Sequence, residues 1–105
     1  MLLFGKKKDI NAGFEEFGKT EGALLIDVRE AEEYRNGHIP GAVNVPLSKL
    51  NREITDVVPD ESSTLFVYCL SGARSGKAVH ILKGMGYDQV RNIGGINAYK
   101  GKLEK

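Results

Sequence analysis

A short, almost unbroken apolar run in the first third of the chain limits the possible folds most strongly. Residues 23–28, Ala-Leu-Leu-Ile-Asp-Val, contain one polar side chain, that of Asp27. This is the pattern of a strand that is buried on both faces of a sheet. Three further segments have strand composition, at 42–45, 64–68 and 89–93, and residues 1–4 are a candidate edge strand.

Segments with helical periodicity lie between these predicted strands. The first contains Ile10, Phe14 and Phe17, with Asp9 or Asn11 as the residue that caps its start. Further helices are predicted at 30–34, 47–54, 73–85 and 96–103. Alternating strands and helices predict an α/β fold, in which parallel strands are joined by right-handed crossovers and helices cover both faces.

The length and charge of the chain exclude several classes of protein. It has 105 residues, enough for one small domain, and 15 Lys and Arg against 14 Asp and Glu. Such balanced charge does not favour nucleic acid as a partner. No segment approaches the roughly 20 apolar residues of a membrane span, and the apolar start is too short for a signal peptide. We therefore expect a cytoplasmic protein with no membrane partner; its oligomeric state is not indicated.

The single cysteine, Cys69, lies where a hydrophobic strand ends and a helix begins. One cysteine excludes an intramolecular disulfide and a multi-cysteine metal site, and neither histidine has a second ligand at metal spacing, so no metal or cofactor is expected. Ligands of parallel sheets bind beyond the carboxyl ends of the strands. The position of Cys69 therefore makes it the candidate functional residue, although a lone cysteine at a strand end is also often a small core residue.

The loop that follows Cys69 favours a reactive thiolate. The free amides and the dipole of a helix's first turn stabilise negative charge. Small residues let the backbone curl around one anion, Gly72 can take a positive φ, and Arg74 adds a permanent charge with several donors. No histidine lies beside Cys69 as a base. The pattern therefore favours sulfur or phosphoryl transfer to a preformed thiolate.

Other polar residues near strand or loop ends have simpler interpretations beside functional ones. Asp27 and Arg29 follow a buried strand; we favour an ion pair over support of the cysteine loop. His38 is interpreted as a turn histidine that satisfies backbone groups, and His80 as exposed. Lys77 fits a solvated helix face as well as it fits a role in attracting anions.

Three segments of the chain resemble the rhodanese-like family, in its order and spacing. They are LLIDVREAEEYRNGHIPGAVNVPL at 24–47, VYCLSGARS at 67–75 and GYDQVRNIGGINAYKG at 86–101. The chain departs from many relatives in having no tryptophan in the last segment, and we expect Ile96 and Tyr99 to fill that packing role.

The resemblance implies a single rhodanese-like domain over residues 1–105, with 1–9 as a loose extension, and about five parallel strands with helices on both faces. It implies a sulfurtransferase in which Cys69 is the catalytic thiolate. A small sulfur-containing anion such as thiosulfate, or a persulfide, would give sulfur to Cys69, and cyanide, a thiol or a protein would accept it. The implied substrate-binding residues are Leu70, Ser71, Gly72, Ala73, Arg74 and Ser75, with Asp27 and Arg29 behind them.

Two other functions stay open at this point. Phosphatases and arsenate reductases related to this family have a loop one residue longer, whereas four residues separate Cys69 from Arg74 here. A shorter loop fits one sulfur atom better than a tetrahedral oxyanion. The small size of the domain is also compatible with a non-catalytic binding module, or with a sensor that uses reversible oxidation of Cys69.

Overall fold

A computed structural model describes residues 9–105 of the protein. These residues form an α/β fold built on one parallel sheet. The strands are β1 (Leu24–Asp27), β2 (Ala42–Asn44), β3 (Leu65–Cys69) and β4 (Val90–Gly95). Their order across the sheet is β2-β1-β3-β4, and all neighbours run parallel. The four internal strands predicted from sequence are confirmed, and the candidate edge strand at 1–4 lies outside the described residues.

Within residues 9–105, four α-helices and two short 3-10 turns connect and flank the strands. The helices are α1 (Ile10–Lys19), α2 (Ala31–Arg35), α3 (Leu50–Val57) and α4 (Ala73–Gly84), and the 3-10 turns are Leu47–Lys49 and Ile96–Ala98. Asp9 caps α1, since its carboxylate accepts from the amides of Asn11 and Ala12 at 3.0 and 3.4 Å. Of the proposed extension at 1–9, only this capping residue is described. Among residues 9–105, none of the helices combines the length and the hydropathy of a membrane span.

The sheet separates two hydrophobic cores, because successive side chains of a strand point to opposite faces. In β3 every residue is buried, and Leu65, Val67 and Cys69 join the core formed with α3 and α4. Phe66 and Tyr68 point the other way, into the core formed with α1. The apolar runs of the sequence therefore correspond to strands that are buried on both faces. The alternation of side chains along β3 places Cys69 on the face covered by α3 and α4.

The prediction of a helix at 96–103 is wrong. Only one 3-10 turn forms, and Tyr99 is already extended, with φ −72° and ψ 134°. The following backbone bonds elsewhere: the amide of Lys100 donates to Asn11 Oδ1 at 2.8 Å, and Glu104 exchanges two backbone hydrogen bonds of 2.8 Å with His38. Tertiary hydrogen bonds thus outweigh a weak helical pattern, and Leu103 is exposed.

The packing role expected of Ile96 and Tyr99 is confirmed. Both side chains pack against the core on the α1 side of the sheet. The ring of Tyr99 meets that of Phe14 edge to face, with the ring centroids 5.7 Å apart. These two residues therefore close the end of the core, where the sequence has no tryptophan.

Candidate active site

Cys69 is the last residue of β3, the strand that lies between β1 and β4. It is 1% exposed, and it pairs in register with Gly95 of β4. Four residues later, at Ala73, the chain enters α4, whose first turn lies next to the sulfur. The side chain therefore lies at the carboxyl edge of the sheet, where parallel α/β folds bind ligands.

The sulfur of Cys69 occupies the place of a helix-capping group. Gly72 precedes α4 and has no side chain to accept from the helix amides; its φ is +104°, as expected for a residue that must curl the loop. The amides of Gly72 and Ser75 instead donate to Cys69 Sγ, at 3.0 and 3.3 Å. Inward-turned amides at the start of a helix favour a negative sulfur.

These hydrogen bonds change the acidity of the thiol. Burial raises the pKa of Cys69, but hydrogen bonds from the hydroxyl and amide of Ser75 and from the amides of Gly72 and Ser71 lower it by more. The net result is a pKa below the ordinary value. A lower pKa increases the fraction of thiolate near neutral pH, which is the form that acts as a nucleophile.

Asn92 of β4 holds the loop in this shape, and sequence reasoning missed it. Its amide nitrogen donates to Gly72 O at 3.1 Å, while its Oδ1 accepts from Ser75 Oγ at 2.7 Å and from the Gly94 amide at 3.0 Å. The Ser75 hydroxyl has one hydrogen, and Cys69 Sγ is farther away, at 3.4 Å. Because the hydroxyl can donate its one hydrogen to only one of these acceptors at a time, the backbone amides of Gly72 and Ser75 are the more constant hydrogen-bond donors to the sulfur. An asparagine two residues before the Gly94-Gly95 pair was the only sequence signal for this role.

The segment that follows Asn92 packs against the cysteine loop through close backbone contacts. The amide of Asn97 donates to Leu70 O at 3.1 Å. A Cβ added at Gly95 would lie 2.2 Å from Leu70 O and 2.6 Å from Ser71 Cα. Only glycine fits here, and the reason is space, since φ of Gly95 is an ordinary −122°.

We therefore expect Gly95→Ala to displace the cysteine loop. Overpacking of this kind should lower the free energy of unfolding by about 1–3 kcal/mol. It should also raise the pKa of Cys69 toward its ordinary value, because the loop amides move away from the sulfur. Urea unfolding and a pH titration of the thiolate's ultraviolet absorbance measure the two effects.

Gly84→Ala is the matched control, because a Cβ there meets nothing within 4 Å. It should leave the thiol pKa unchanged and should not lower the free energy of unfolding. An equal thiol pKa in Gly95→Ala and in the wild-type protein would contradict the role given to this contact.

Arg74 lies on the first turn of α4 and is bound by an acid from another helix. Its Nη1 and Nη2 donate to Glu33 Oε1 and Oε2 at 2.7 and 3.0 Å. The sequence predicted a helix at 30–34 but gave no sign of this contact, which joins residues 41 positions apart. A bidentate pair of this kind fixes the guanidinium in one orientation.

Asp27 and Arg29 form a buried ion pair, the interpretation favoured from sequence. Arg29 Nη2 lies 2.7 Å from Asp27 Oδ2, with the two side chains 6% and 0% exposed. The same nitrogen donates to Gly37 O at 2.8 Å, and the guanidinium lies 5.8 Å from the centre of the Tyr68 ring. These contacts tie β1 to the segment before β2 and to the end of β3; support of the cysteine loop by this pair stays a prediction.

The remaining sequence-predicted residues lie as follows. In the loop, Leu70, Ser71 and Ala73 are exposed, Gly72 and Arg74 are half-buried, and Ser75 is buried. His38 Nδ1 is 2.9 Å from Tyr34 O, which confirms the turn histidine that satisfies a backbone group. His80 and Lys77 are exposed on α4. The loop thus presents the side chains of Leu70, Ser71 and Ala73 outward and amides inward.

Comparison with known proteins identifies relatives of this chain. Residues 11–102 match the family model of the rhodanese-like domain. Thiosulfate sulfurtransferase PspE of Escherichia coli is 46% identical over 71 residues, which are 68% of each chain. The uncharacterized protein YqhL of Bacillus subtilis is 39% identical over 78% of this chain and 64% of its own length.

A solved structure agrees in fold as well as in sequence. The structure titled "rhodanese with anions from E. coli" superposes with a TM-score of 0.74 and 41% identity, covering 79% of this chain and 98% of that one. The family match extends over the sheet, the cysteine loop and the closing Gly-Gly segment. The chain belongs to the rhodanese-like domain family.

Proposed function

We propose that this protein is a sulfurtransferase, in which the Cys69 thiolate accepts one sulfane sulfur from a donor such as thiosulfate and passes it to a thiophilic acceptor. The observation that carries the proposal is a sulfur that accepts amide hydrogen bonds of 3.0 and 3.3 Å at the start of a helix. The relatives of this chain that are named as sulfurtransferases support the same activity.

The first half-reaction needs no base from the protein. The Cys69 thiolate attacks the outer sulfur of thiosulfate, a new sulfur–sulfur bond forms, and the donor's own sulfur–sulfur bond breaks. Sulfite leaves with the electron pair of the broken bond, and Cys69 becomes a persulfide. This fits a site in which the thiol is already acidic and no histidine faces the sulfur among the described contacts.

In the second half-reaction the acceptor attacks the outer sulfur of the persulfide. The bond to Cys69 breaks, the thiolate returns as the leaving group, and cyanide, a thiol or a protein thiol carries the sulfur away. Amides of the 70–75 loop stabilise the negative charge on the outer sulfur and again on the departing thiolate. Because the sulfur rests on the protein between the two steps, kinetics should be of the double-displacement type.

The loop is less suited to oxyanion hydrolysis. Four residues separate Cys69 from Arg74, and the arginine's fork is already bound to Glu33 at 2.7 and 3.0 Å. A phosphate needs several donors around three oxygens, including a bidentate guanidinium. We therefore do not assign a phosphatase or arsenate reductase activity to this site.

Intact-mass measurement tests the proposal. Purified, reduced protein is incubated with thiosulfate without oxygen, freed of small molecules and weighed by mass spectrometry. We expect the added mass of one sulfur atom, lost again on treatment with cyanide and not gained by protein whose thiol was first alkylated. An unmodified mass with thiosulfate and also with a low-molecular-weight persulfide would reject the proposal.

The pH dependence of sulfur uptake follows from the thiol. Hydrogen bonds lower the pKa of Cys69, so the reactive thiolate persists to lower pH than in an unfolded chain. The uptake rate should rise with pH and level off, with a midpoint below the value of about 8.5 of an ordinary cysteine. Single-turnover rates between pH 5 and 9 measure this midpoint, and urea-unfolded protein alkylated over the same range is the reference. A midpoint at or above that of the unfolded chain would contradict the amide-stabilised thiolate.

A further inference from the structure

The charge of the arginine beside the cysteine loop is cancelled by a fixed partner. Arg74 and Glu33 join α4 to α2 through two hydrogen bonds of 2.7 and 3.0 Å. The two side chains are 32% and 33% exposed, so the pair borders on solvent at the mouth of the site. Arg74 is also close enough to feel the charges of Cys69 and Glu30. Its net effect on an incoming anion therefore depends on its acidic neighbours.

Glu33 is held in place by its own helix. It is the third residue of α2, and its Oε1 accepts from the backbone amide of Glu30 at 2.9 Å as part of a reciprocal capping box. Hydrogen bonding to Arg74 lowers the pKa of Glu33 to about 2, so the carboxylate is charged throughout the working pH range. The helix therefore presents a permanent negative charge to Arg74 rather than a flexible one.

Neither Arg29 nor Lys77 offers the site a buried, unpaired cation. Arg29 is buried and paired with Asp27 at 2.7 Å. Lys77 is exposed, on the solvent side of α4. A thiosulfate dianion that approaches the thiolate thus meets amide dipoles and the Arg74–Glu33 pair, whose two charges cancel.

We infer that Glu33 is a specificity-determining residue: by holding and neutralising Arg74, it weakens the attraction of the site for multiply charged sulfur donors relative to donors of lower charge, such as thiol persulfides. This inference rests on the proposed sulfur transfer at Cys69. Glu33 does not touch the sulfur; it acts through Arg74. The charge selectivity of the site is thereby set by a residue of a different helix.

Glu33→Gln tests the inference with little change in shape. Glutamine also serves as the third residue of a capping box, so α2 should keep its start. Loss of the carboxylate leaves the charge of Arg74 uncompensated. We expect kcat/KM for thiosulfate to rise about three- to tenfold at low ionic strength, mainly through a lower KM, and the gain to shrink in salt.

Glu32→Gln is the matched control, because it changes the net charge of the chain by the same amount at the preceding residue of α2. Glu32 is exposed, and its carboxylate makes no hydrogen bond or ion pair among the described residues. The kcat/KM of the Glu32→Gln variant for thiosulfate should stay within about twofold of the wild-type value, as expected for a solvent-screened charge. An equal rise in both variants would show a general charge effect and overturn the inference.

A second readout separates this inference from the proposed function. Alkylation of Cys69 by iodoacetate, an anion, is compared with alkylation by neutral iodoacetamide of similar size. Glu33→Gln should increase the iodoacetate-to-iodoacetamide rate ratio, and the thiolate's ultraviolet absorbance should appear at lower pH, whereas Glu32→Gln should change neither. If these shifts occur but no variant takes up sulfur, the proposed function fails and the charge effect of Glu33 stands. If the ratio and the titration both match the control, the inference is wrong.

Discussion

Cys69→Ser is expected to abolish sulfur uptake and turnover completely while leaving the protein folded. The serine hydroxyl does not ionise in the working pH range, and the oxygen cannot form a persulfide. The hydroxyl can still accept from the amides of Gly72 and Ser75, which reach Cys69 Sγ at 3.0 and 3.3 Å. We therefore expect the free energy of unfolding to change by about 1 kcal/mol or less. Intact mass after thiosulfate treatment and urea unfolding measure the two properties.

Ser48→Ala is a control for this experiment, since Ser48 is exposed in the 3-10 turn at 47–49 and far in sequence from the cysteine loop. It should take up one sulfur like the wild-type protein. Cys69 is the only cysteine of the chain. A gain of sulfur by Cys69→Ser would thus place the sulfur on a different kind of side chain and remove the basis of the proposed mechanism.

The strands were predictable from sequence because their burial on both faces is written into local composition. The apolar residues of 23–28 and 64–68 are the ones that fill the two cores, and β1 and β3 lie within a residue of the predicted bounds. The segment 96–103 failed for the opposite reason. Ile96, Tyr99 and Leu103 fit a helical period. The backbone of Lys100 and Glu104 instead forms hydrogen bonds with Asn11 and His38, and these distant partners cannot be read from the local sequence.

The same distinction applies within the candidate site. The strand, the turn and the helix around Cys69 are contiguous, so the inward-turned amides could be inferred from the sequence of 68–77 alone. Glu33 and Asn92 could not, since they meet the loop across 41 and 17 residues of chain. Local sequence thus predicted the amides that face the sulfur, and the tertiary fold adds the side chains that contact the loop and its arginine.

Asp27→Ala is expected to cause the largest loss of stability of the substitutions considered. Asp27 is fully buried and takes hydrogen bonds from the Arg29 amide at 2.9 Å and from its guanidinium at 2.7, 3.0 and 3.1 Å. Burial disfavours the charge of Arg29, and the hydrogen bonds and attraction of Asp27 more than offset this, so that the pKa of Arg29 is raised. Removing the carboxylate leaves a buried, unpaired guanidinium, which should lower the free energy of unfolding by about 3–5 kcal/mol. Urea unfolding followed by circular dichroism measures the loss.

The double variant Asp27→Ala/Arg29→Met distinguishes an unpaired charge from a simple loss of packing. Methionine removes the guanidinium while it keeps an apolar stem of similar reach, so the double variant should recover at least about half of the loss caused by Asp27→Ala alone. The bond from Arg29 Nη2 to Gly37 O, 2.8 Å long, is lost as well, which limits the recovery. An additive, larger loss in the double variant would mean that the two side chains stabilise the fold independently. In that case the ion pair would not be what joins the end of β1 to the segment before β2.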